Sequence, residues 1–179
     1  MLGCWAVLAL VTACSSLECP MNNTVYTTYA LYKSDGTRDT LKDTLSVFTL
    51  QRDDKQDPVL INRDINFSSL TVPISYEGPL DELYFLRNVS ITTRDTLYAG
   101  TDSMKVNSTK QKLALVDTVI VHKTDRKHFE SVECTPSFFH TLTGVECTHH
   151  GIDSVVINHP DVNYDSTKEH LHIYFKSYR

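Results

Sequence analysis

Apolar residues in this chain recur at every second position, and this period constrains the fold more than any other feature of the sequence. The clearest case lies near the C terminus, where Leu171, Ile173 and Phe175 are separated by single polar residues. Successive side chains of a β-strand point to opposite faces, so the alternation predicts strands with one buried face. No segment sustains the three-and-four spacing of an amphipathic helix, and helix content is therefore expected to be low.

Turn-forming residues separate the candidate strands at a spacing of roughly ten residues. Ser34-Asp35-Gly36 and Glu77-Gly78-Pro79 are the clearest of these turns. Many short strands at this spacing predict an all-β fold, a two-sheet antiparallel sandwich, with a closed calycin-like barrel as the alternative. Pro73 has no amide hydrogen, so its strand is expected at a sheet edge or at a bulge. A single β domain is expected over residues 23–179, a length that suits one domain.

The N terminus carries a short apolar run, residues 2–10, which ends at Val11-Thr12-Ala13-Cys14. The run is too short for a bilayer core that needs roughly 20 residues, whereas a signal-peptide core has roughly 7–15. We therefore expect residues 1–13 to be a lipoprotein signal peptide and residues 14–22 a lipidated tether, with Cys14 as the acylated residue. No Lys or Arg precedes the run, which departs from the usual signal pattern. A buried N-terminal strand or helix with a core cysteine is the alternative.

The residues after Cys14 suggest where such a lipoprotein would lie. Ser15 and Ser16 follow the cysteine, and serine there permits passage to the outer membrane. Several acyl chains, palmitate among them, hold a protein on a membrane stably where one chain does not. The expected partner is thus the outer membrane, reached through the lipid anchor, and the sequence leaves open whether the domain faces the periplasm or the cell surface.

The charge balance limits the partners. Lys and Arg number 17 against 22 Asp and Glu, and the net charge is −5. Because phosphate binding requires a basic surface, nucleic acid is not expected as a partner. The same balance disfavours charge-driven docking of the whole domain on anionic lipid.

Three cysteines remain after Cys14: Cys19, Cys134 and Cys147. An odd number in an oxidising compartment leaves at least one thiol unpaired. A Cys19–Cys134 disulfide would close a loop worth roughly 4–5 kcal/mol in the chain-entropy model. A Cys134–Cys147 disulfide would close a short loop, and three reduced thiols are a further alternative. The first pairing is favoured, although spacing does not establish connectivity.

Histidines are concentrated in the C-terminal third of the chain. His149-His150 and the His170-x-His172 pair beside Tyr174 are candidate ligands for a metal ion or a small molecule. Residues two apart in a strand share a face, so His170 and His172 could chelate one ion with help from His149 or His150. A solvated pair of outward-facing histidines is the ordinary and favoured alternative.

Asp-Ser/Thr-apolar tripeptides recur along the chain and resemble the O-glycosylation acceptor of Bacteroidetes envelope proteins. Thr40 and Ser103 are the candidate sites. The ordinary alternative is that Asp ends a turn while Ser or Thr opens a strand. Short motifs of this kind are weak indications on their own.

Catalytic motifs are absent from the sequence, which has no Gly-x-Ser-x-Gly, no phosphate-binding loop and no His-Glu-x-x-His. Scattered Ser, His and Asp residues do not define a triad. We therefore expect a non-enzymatic protein without a cofactor. A hydrolase of envelope glycans is kept as an alternative, because many activities are carried by folds of this class.

Several segments carry a resemblance to a known family: residues 129–134 (FESVEC), 148–150 (THH), 152–158 (IDSVVIN), 162–165 (VNYD), 170–175 (HLHIYF), 19–20 (CP) and 22–26 (NNTVY). They resemble an uncharacterised family of calycin-like or sandwich-like lipoproteins from Bacteroidetes. The resemblance implies a β domain, an outer-membrane lipoprotein and a Cys19–Cys134 disulfide, with Cys147 outside the pattern. That family is a domain of unknown function, so the resemblance implies no catalytic residues.

The sequence as a whole thus predicts a cell-envelope lipoprotein that serves as a non-enzymatic interaction or structural module. A small-ligand or metal-binding module is the first alternative, and an envelope glycan hydrolase is the second. An envelope protein or a glycan is the expected partner besides the membrane.

Overall fold

The structure is a computed structural model that describes Cys19 and residues 24–50, 59–99 and 103–178. The described residues form strands and loops without a helix, which confirms the predicted all-β fold. Accordingly, the described part of the chain offers no helix long and apolar enough to cross a bilayer. The strands are β1 (Tyr26–Leu31), β2 (Thr44–Phe48), β3 (Val59–Asp64), β4 (Ser69–Pro73), β5 (Leu80–Ala99), β6 (Ser103–His128), β7 (Ser137–Cys147), β8 (Ile152–Ile157), β9 (Asp161–Val162) and β10 (Leu171–Phe175).

These strands divide between two sheets, as a sandwich requires and a single closed barrel does not. The smaller sheet has the order β4-β1-β10-β8, and the larger has the order β3-β2-β5-β6-β7-β9. One pair departs from the expected antiparallel arrangement, because β1 and β10 run parallel with Tyr29 opposite Leu171. These strands come from opposite ends of the domain, so no hairpin forces them into antiparallel pairing.

The core lies between the facing sides of the two sheets, where the alternating apolar residues meet. Tyr29 of β1 contacts Phe85 of β5 edge to face, with ring centroids 5.8 Å apart. Aromatic pairs in this arrangement add to the stabilisation that burial provides. Further fully buried contributors include Leu31, Leu83, Val119, Val121, Leu171 and Ile173.

Pro73 confirms the expectation of an edge position. It is the last residue of β4, and β4 is the outermost strand of the smaller sheet. No further described strand lies beyond β4. On that side of the sheet, no neighbouring strand therefore needs the amide hydrogen that proline lacks.

The longest strands form one hairpin, which the sequence did not predict. Residues 80–99 form the single strand β5, which has 20 residues, far more than the spacing of roughly ten residues between turns predicted. The alternation continues through Arg87 and Val89 with no Gly or Pro to interrupt it. Its partner β6 has 26 residues, and pairing extends from Leu80 opposite His122 to Ala99 opposite Ser103.

The outer part of this hairpin extends beyond its neighbours in the sheet. Among the described strands, β2 pairs with β5 only at residues 84–88, and β7 pairs with β6 only at residues 119–128. Residues 89–99 and 103–113 therefore form a two-stranded ribbon that pairs only with itself, and we refer to them as the ribbon arm. Eleven residues of strand give the arm a length of about 35 Å.

A disulfide joins the N-terminal segment to the loop that follows β6. The Cys19 and Cys134 sulfurs are bonded, with the Cα atoms 5.5 Å apart, and this is the pair that the family resemblance implied. Cys147, at the end of β7, is a free and partly buried thiol. The predicted signal peptide and the rest of the tether, including Cys14, lie outside the described residues.

Candidate functional site

His170 was expected to share the outward face of the last strand with His172, but the structure buries it completely. It precedes the first residue of β10, and its Nδ1 accepts a hydrogen bond from the Thr28 amide at 3.0 Å. Burial lowers the pKa of His170, which keeps the ring neutral near pH 7. An Nδ1 atom that accepts a backbone hydrogen bond has no free lone pair for a metal ion.

His172 and Tyr174 do point outward, and they join a group of polar and aromatic residues on the smaller sheet. The Tyr32 and His172 rings lie 4.2 Å apart, and the Tyr32 and Tyr174 rings lie 6.5 Å apart. Glu169 accepts hydrogen bonds from Tyr32 Oη at 3.0 Å and from Arg38 Nη1 at 2.5 Å. We call these five residues the Glu169 cluster.

The charges within the Glu169 cluster balance one another. Burial raises the pKa of Glu169, but the hydrogen bonds from Arg38 and Tyr32 outweigh it, and the pKa is lowered overall. His172 Nε2 lies 3.3 Å from the same carboxylate. Because the carboxylate already has these partners, a ligand would have to displace them before it could bind. The cluster is a self-contained polar network on a half-exposed surface.

His149 and His150 lie in the loop between β7 and β8, and neither belongs to the Glu169 cluster. His149 Nδ1 lies 3.8 Å from the Cys147 sulfur. The His150 amide instead donates to the buried carboxylate of Asp117 at 2.6 Å, and its ring Nδ1 lies 3.5 Å from the same oxygen. The conformation of this loop therefore depends on Asp117.

Asp117 holds that loop against β6. Its Oδ2 accepts the amides of Gly151 at 2.6 Å and Ile152 at 2.9 Å. Its Oδ1 accepts the Thr148 hydroxyl at 3.0 Å, in addition to the His150 amide. A buried carboxylate that accepts four hydrogen bonds replaces its lost hydration and fixes the backbone of the loop.

The predicted histidines are thus placed in separate surroundings rather than in one coordination sphere. Within the described residues, no three His, Cys, Asp or Glu side chains gather in a way that could hold a metal ion. The expected third ligand from His149 or His150 does not approach a His170–His172 pair, since His170 faces the core. The physical reason is that His170 lies before the strand and binds the backbone of β1.

A buried charged cluster that the sequence reasoning missed lies at one end of the core. Lys123 Nζ donates to the Gly78 carbonyl and to Asp125 Oδ1, at 2.7 Å in each case. The same Asp125 oxygen lies 2.8 Å from His140 Nδ1, and a carboxylate can only accept, so His140 carries the proton there. Lys123 and His140 are buried, while Asp125 reaches solvent.

The pKa values in this cluster are shifted in opposite directions. Burial raises the pKa of Asp81, which faces Lys123. Burial also raises that of Asp125, but hydrogen bonds from Lys123 and His140 lower its pKa overall. Burial lowers the pKa of His140. Shifted pKa values indicate a functional site only where the same residues also line a cleft.

One small cavity lies elsewhere and is not lined by the residues of this cluster. It has a volume of about 90 Å³, which is space for a few water molecules at most. Thr28, Thr71, Asn163 and Tyr164 are among its lining residues. The sequence contains one indication of the charged cluster. Lys123 continues the two-residue alternation of Val119 and Val121, which places it on the inward face of β6.

The candidate glycosylation residues lie in different contexts. Thr40 is exposed in the loop before β2, and its amide donates to the Asp39 carboxylate at 2.8 Å. Ser103 begins β6, but its side chain is outside the described residues. An exposed Thr40 is accessible to a modifying enzyme, and its glycosylation stays a prediction.

The ribbon arm carries a cationic face. In the register of the hairpin, Arg94 lies opposite Ser108, Lys110 opposite Thr92, and Lys112 opposite Ser90. All six residues are exposed, and their spacing of two along each strand places them on one face. No ion pair joins the three cations to any other residue that the structure describes. This face is positive in a chain whose net charge is −5.

Comparison with known proteins identifies a family but no individual curated protein and no solved structure. No curated protein matches the chain, and no solved structure matches it. The family of unknown function DUF6452 matches residues 44–175, which span β2 to β10 and include the ribbon arm, the Asp117 loop and the Glu169 cluster. The chain therefore belongs to the family of unknown function DUF6452.

Proposed function

We propose that this protein is a non-enzymatic lipoprotein of the cell envelope, anchored to the outer membrane through Cys14, and that it binds a partner protein with the ribbon arm. The observation that carries the proposal is the arm itself, a hairpin of about 35 Å that pairs only with itself among the described strands. The apolar run before Cys14 supports the anchor.

The marginal stability of the arm and its unpaired backbone edges support a binding role. A two-stranded hairpin is marginally stable in water when it stands alone. Each outer edge of the arm presents backbone N–H and C=O groups that another strand can pair with. Strand addition of this kind obtains affinity from main-chain hydrogen bonds, which only another polypeptide can supply. A protein partner therefore fits the arm better than a glycan does.

Charge determines which protein would fit. Arg94, Lys110 and Lys112 present three positive charges on one face, and no acidic residue shares that face among the described positions 90–94 and 108–112. An acidic partner would gain from these charges in association rate and in selectivity. We infer an envelope protein with an acidic surface next to an exposed strand edge.

The hairpin also separates the proposed anchor from the arm. β6 runs from the arm to His128, six residues before Cys134, which is bonded to Cys19 near the proposed anchor. The 15 residues from Ala114 to His128 correspond to about 50 Å of strand. An anchored protein would thus hold its arm at a distance from the lipid attachment point.

The test compares in-cell crosslinking of the native lipoprotein with two charge variants. One variant reverses the arm charges with Arg94→Glu, Lys110→Glu and Lys112→Glu. The matched control makes the same charge change elsewhere, with Lys33→Glu, Lys127→Glu and Lys168→Glu, all exposed and outside the arm. A crosslinked protein that is recovered with the native chain and the control, and lost with the arm variant, supports the proposal.

Two results would contradict it. Equal recovery with all three chains would show that the arm charges do not select the partner. Mass spectrometry of the native protein that found residues 1–13 still attached and no acyl mass on Cys14 would remove the lipoprotein assignment.

A further inference from the structure

We propose that the loop of residues 129–136, which we call the Cys134 loop, rests in the interfacial region of a phospholipid bilayer beside the lipid anchor. The inference depends on the proposed acylation of Cys14 and goes beyond it, because it assigns a lipid-contacting surface to the folded domain. Three independent features of the loop lead to it: its distance from Cys14, its exposed apolar residues and its aromatic surroundings.

The covalent connection limits how far this loop can lie from the membrane. Cys14 precedes Cys19 by five residues, and a fully extended chain of that length spans at most about 18 Å. Cys19 is bonded to Cys134, with the Cα atoms 5.5 Å apart. Acyl chains on Cys14 would therefore hold the Cys134 loop close to the bilayer surface, whereas nothing comparable constrains the ribbon arm.

The loop presents two exposed apolar side chains. Phe129 is 57% exposed and Val132 is 99% exposed. Val132 lies in a turn that is closed by a hydrogen bond from the Cys134 amide to the Ser131 carbonyl at 3.3 Å. The Ser131 hydroxyl also accepts the Glu133 amide at 3.1 Å. A disulfide and two local hydrogen bonds thus hold an apolar residue at the outermost point of the turn.

Aromatic residues that suit a water–lipid boundary surround the loop. The His128 and Phe139 rings stack with centroids 4.2 Å apart, and Tyr164 meets Phe139 edge to face at 5.1 Å. Tyr164 keeps its hydroxyl bonded to Ser137 while its ring is half exposed. Rings with an apolar body and a polar end concentrate at membrane interfaces.

The charges of the loop indicate the kind of lipid. Glu130 and Glu133 flank Val132, and Glu130 Oε1 lies 3.1 Å from His128 Nε2. Two carboxylates would be repelled by an anionic surface, so the loop fits zwitterionic headgroups such as phosphatidylcholine and phosphatidylethanolamine. Contact would arise from apolar burial rather than from charge.

Tryptophan fluorescence in the full, natively acylated protein tests the inference. Trp5 is the single tryptophan of the chain and lies in the predicted signal peptide, so Val132→Trp gives the mature protein one reporter. The control is Leu113→Trp, at the base of the ribbon arm, where the native residue is also exposed. Each variant is reconstituted in phosphatidylcholine vesicles whose acyl chains carry bromine, a contact quencher, and acylation of Cys14 is measured by mass spectrometry on the same sample.

We expect the Val132→Trp emission to shift to the blue and to lose most of its intensity, while the Leu113→Trp emission stays unchanged. Unquenched emission from both acylated variants would overturn the inference and leave the anchor standing. Equal quenching of both would overturn it as well, because the domain would then lie flat on the membrane. Absence of acyl mass on Cys14 would overturn this inference together with the proposed function.

Discussion

Arg87 and Asp43 form an ion pair where the two sheets meet, with Nη2 and Nε of the guanidinium 2.5 and 3.0 Å from the same carboxylate oxygen. The remaining terminal nitrogen, Nη1, donates to the Lys176 carbonyl at 2.8 Å. Arg87 belongs to β5 of the larger sheet, and Lys176 directly follows β10 of the smaller one. The guanidinium also lies 5.2 Å from the Phe175 ring centroid. One buried side chain therefore links both sheets through hydrogen bonds.

Replacing Arg87 with Met should destabilise the protein by about 3 kcal/mol, because it leaves Asp43 and the Lys176 carbonyl without their partner in a largely buried place. Urea unfolding measures this loss. Arg38→Met is the matched control, since Arg38 pairs with Glu169 at an exposed position, and it should cost less than about 1 kcal/mol. Equal losses in the two variants would show that the inter-sheet contacts of Arg87 add nothing.

The Asp117 carboxylate offers a second stability test that concerns a single functional group. Asp117→Asn keeps the shape but turns one accepting oxygen into a donor that faces backbone amides. We expect a loss of about 2–4 kcal/mol in the unfolding free energy, since two of the four donors lose their acceptor. Asp153→Asn, in the exposed part of β8, makes the same chemical change and should stay within about 0.5 kcal/mol of the native protein. Comparable costs at both positions would contradict the assigned role of Asp117.

Features that depend on local side-chain direction and local chemistry could be predicted from the sequence. The alternation around Leu171 and Ile173 predicts the strand and its buried face, because side-chain direction in a strand is a local property. The same reasoning places Pro73 at an edge, since a missing amide hydrogen is visible in the sequence. The fold class follows from such local signals, and the structure confirms it.

Features that depend on distant pairing were not predictable in this way. The parallel pairing of β1 with β10 joins residues more than 140 positions apart, and no local motif indicates it. His170 continues the polar side of the last strand in sequence, yet its bond to the Thr28 amide turns it toward the core. Lys123 was also missed, although a charged residue on the inward face of β6 indicates a buried partner, which the structure shows to be Asp125.

The buried histidines predict how stability depends on pH. Burial lowers the pKa of His170 below its unfolded value of about 6.5, so the unfolded chain binds a proton more readily. Stability is then fully present above about pH 6.5 and falls as the pH decreases through the folded pKa, by at most about 1.4 kcal/mol per pH unit for each such histidine. His140 contributes in the same direction.

Urea unfolding between pH 7.5 and pH 5, values within roughly one to two units of the ordinary histidine pKa, measures this dependence. His170→Asn keeps an acceptor for the Thr28 amide and removes the titrating ring, so its stability should fall less steeply over the interval. His149→Asn, at an exposed histidine, should retain the native slope. A His170→Asn curve parallel to the native curve would show that His170 does not titrate abnormally.

The Cys19–Cys134 bond should contribute more stability than any single contact named above, because it closes a loop with a sequence separation of 115 residues. In the chain-entropy model such a loop contributes about 4–5 kcal/mol by restricting the unfolded chain. The double variant Cys19→Ser, Cys134→Ser should lose that amount in urea unfolding, and adding a reductant to it should change nothing further. Cys147→Ser removes a free thiol and should leave the stability and its sensitivity to reductant as they are in the native protein. A native protein that unfolds identically with and without reductant, after mass spectrometry has verified that the bond is reduced, would contradict the assigned role of this disulfide.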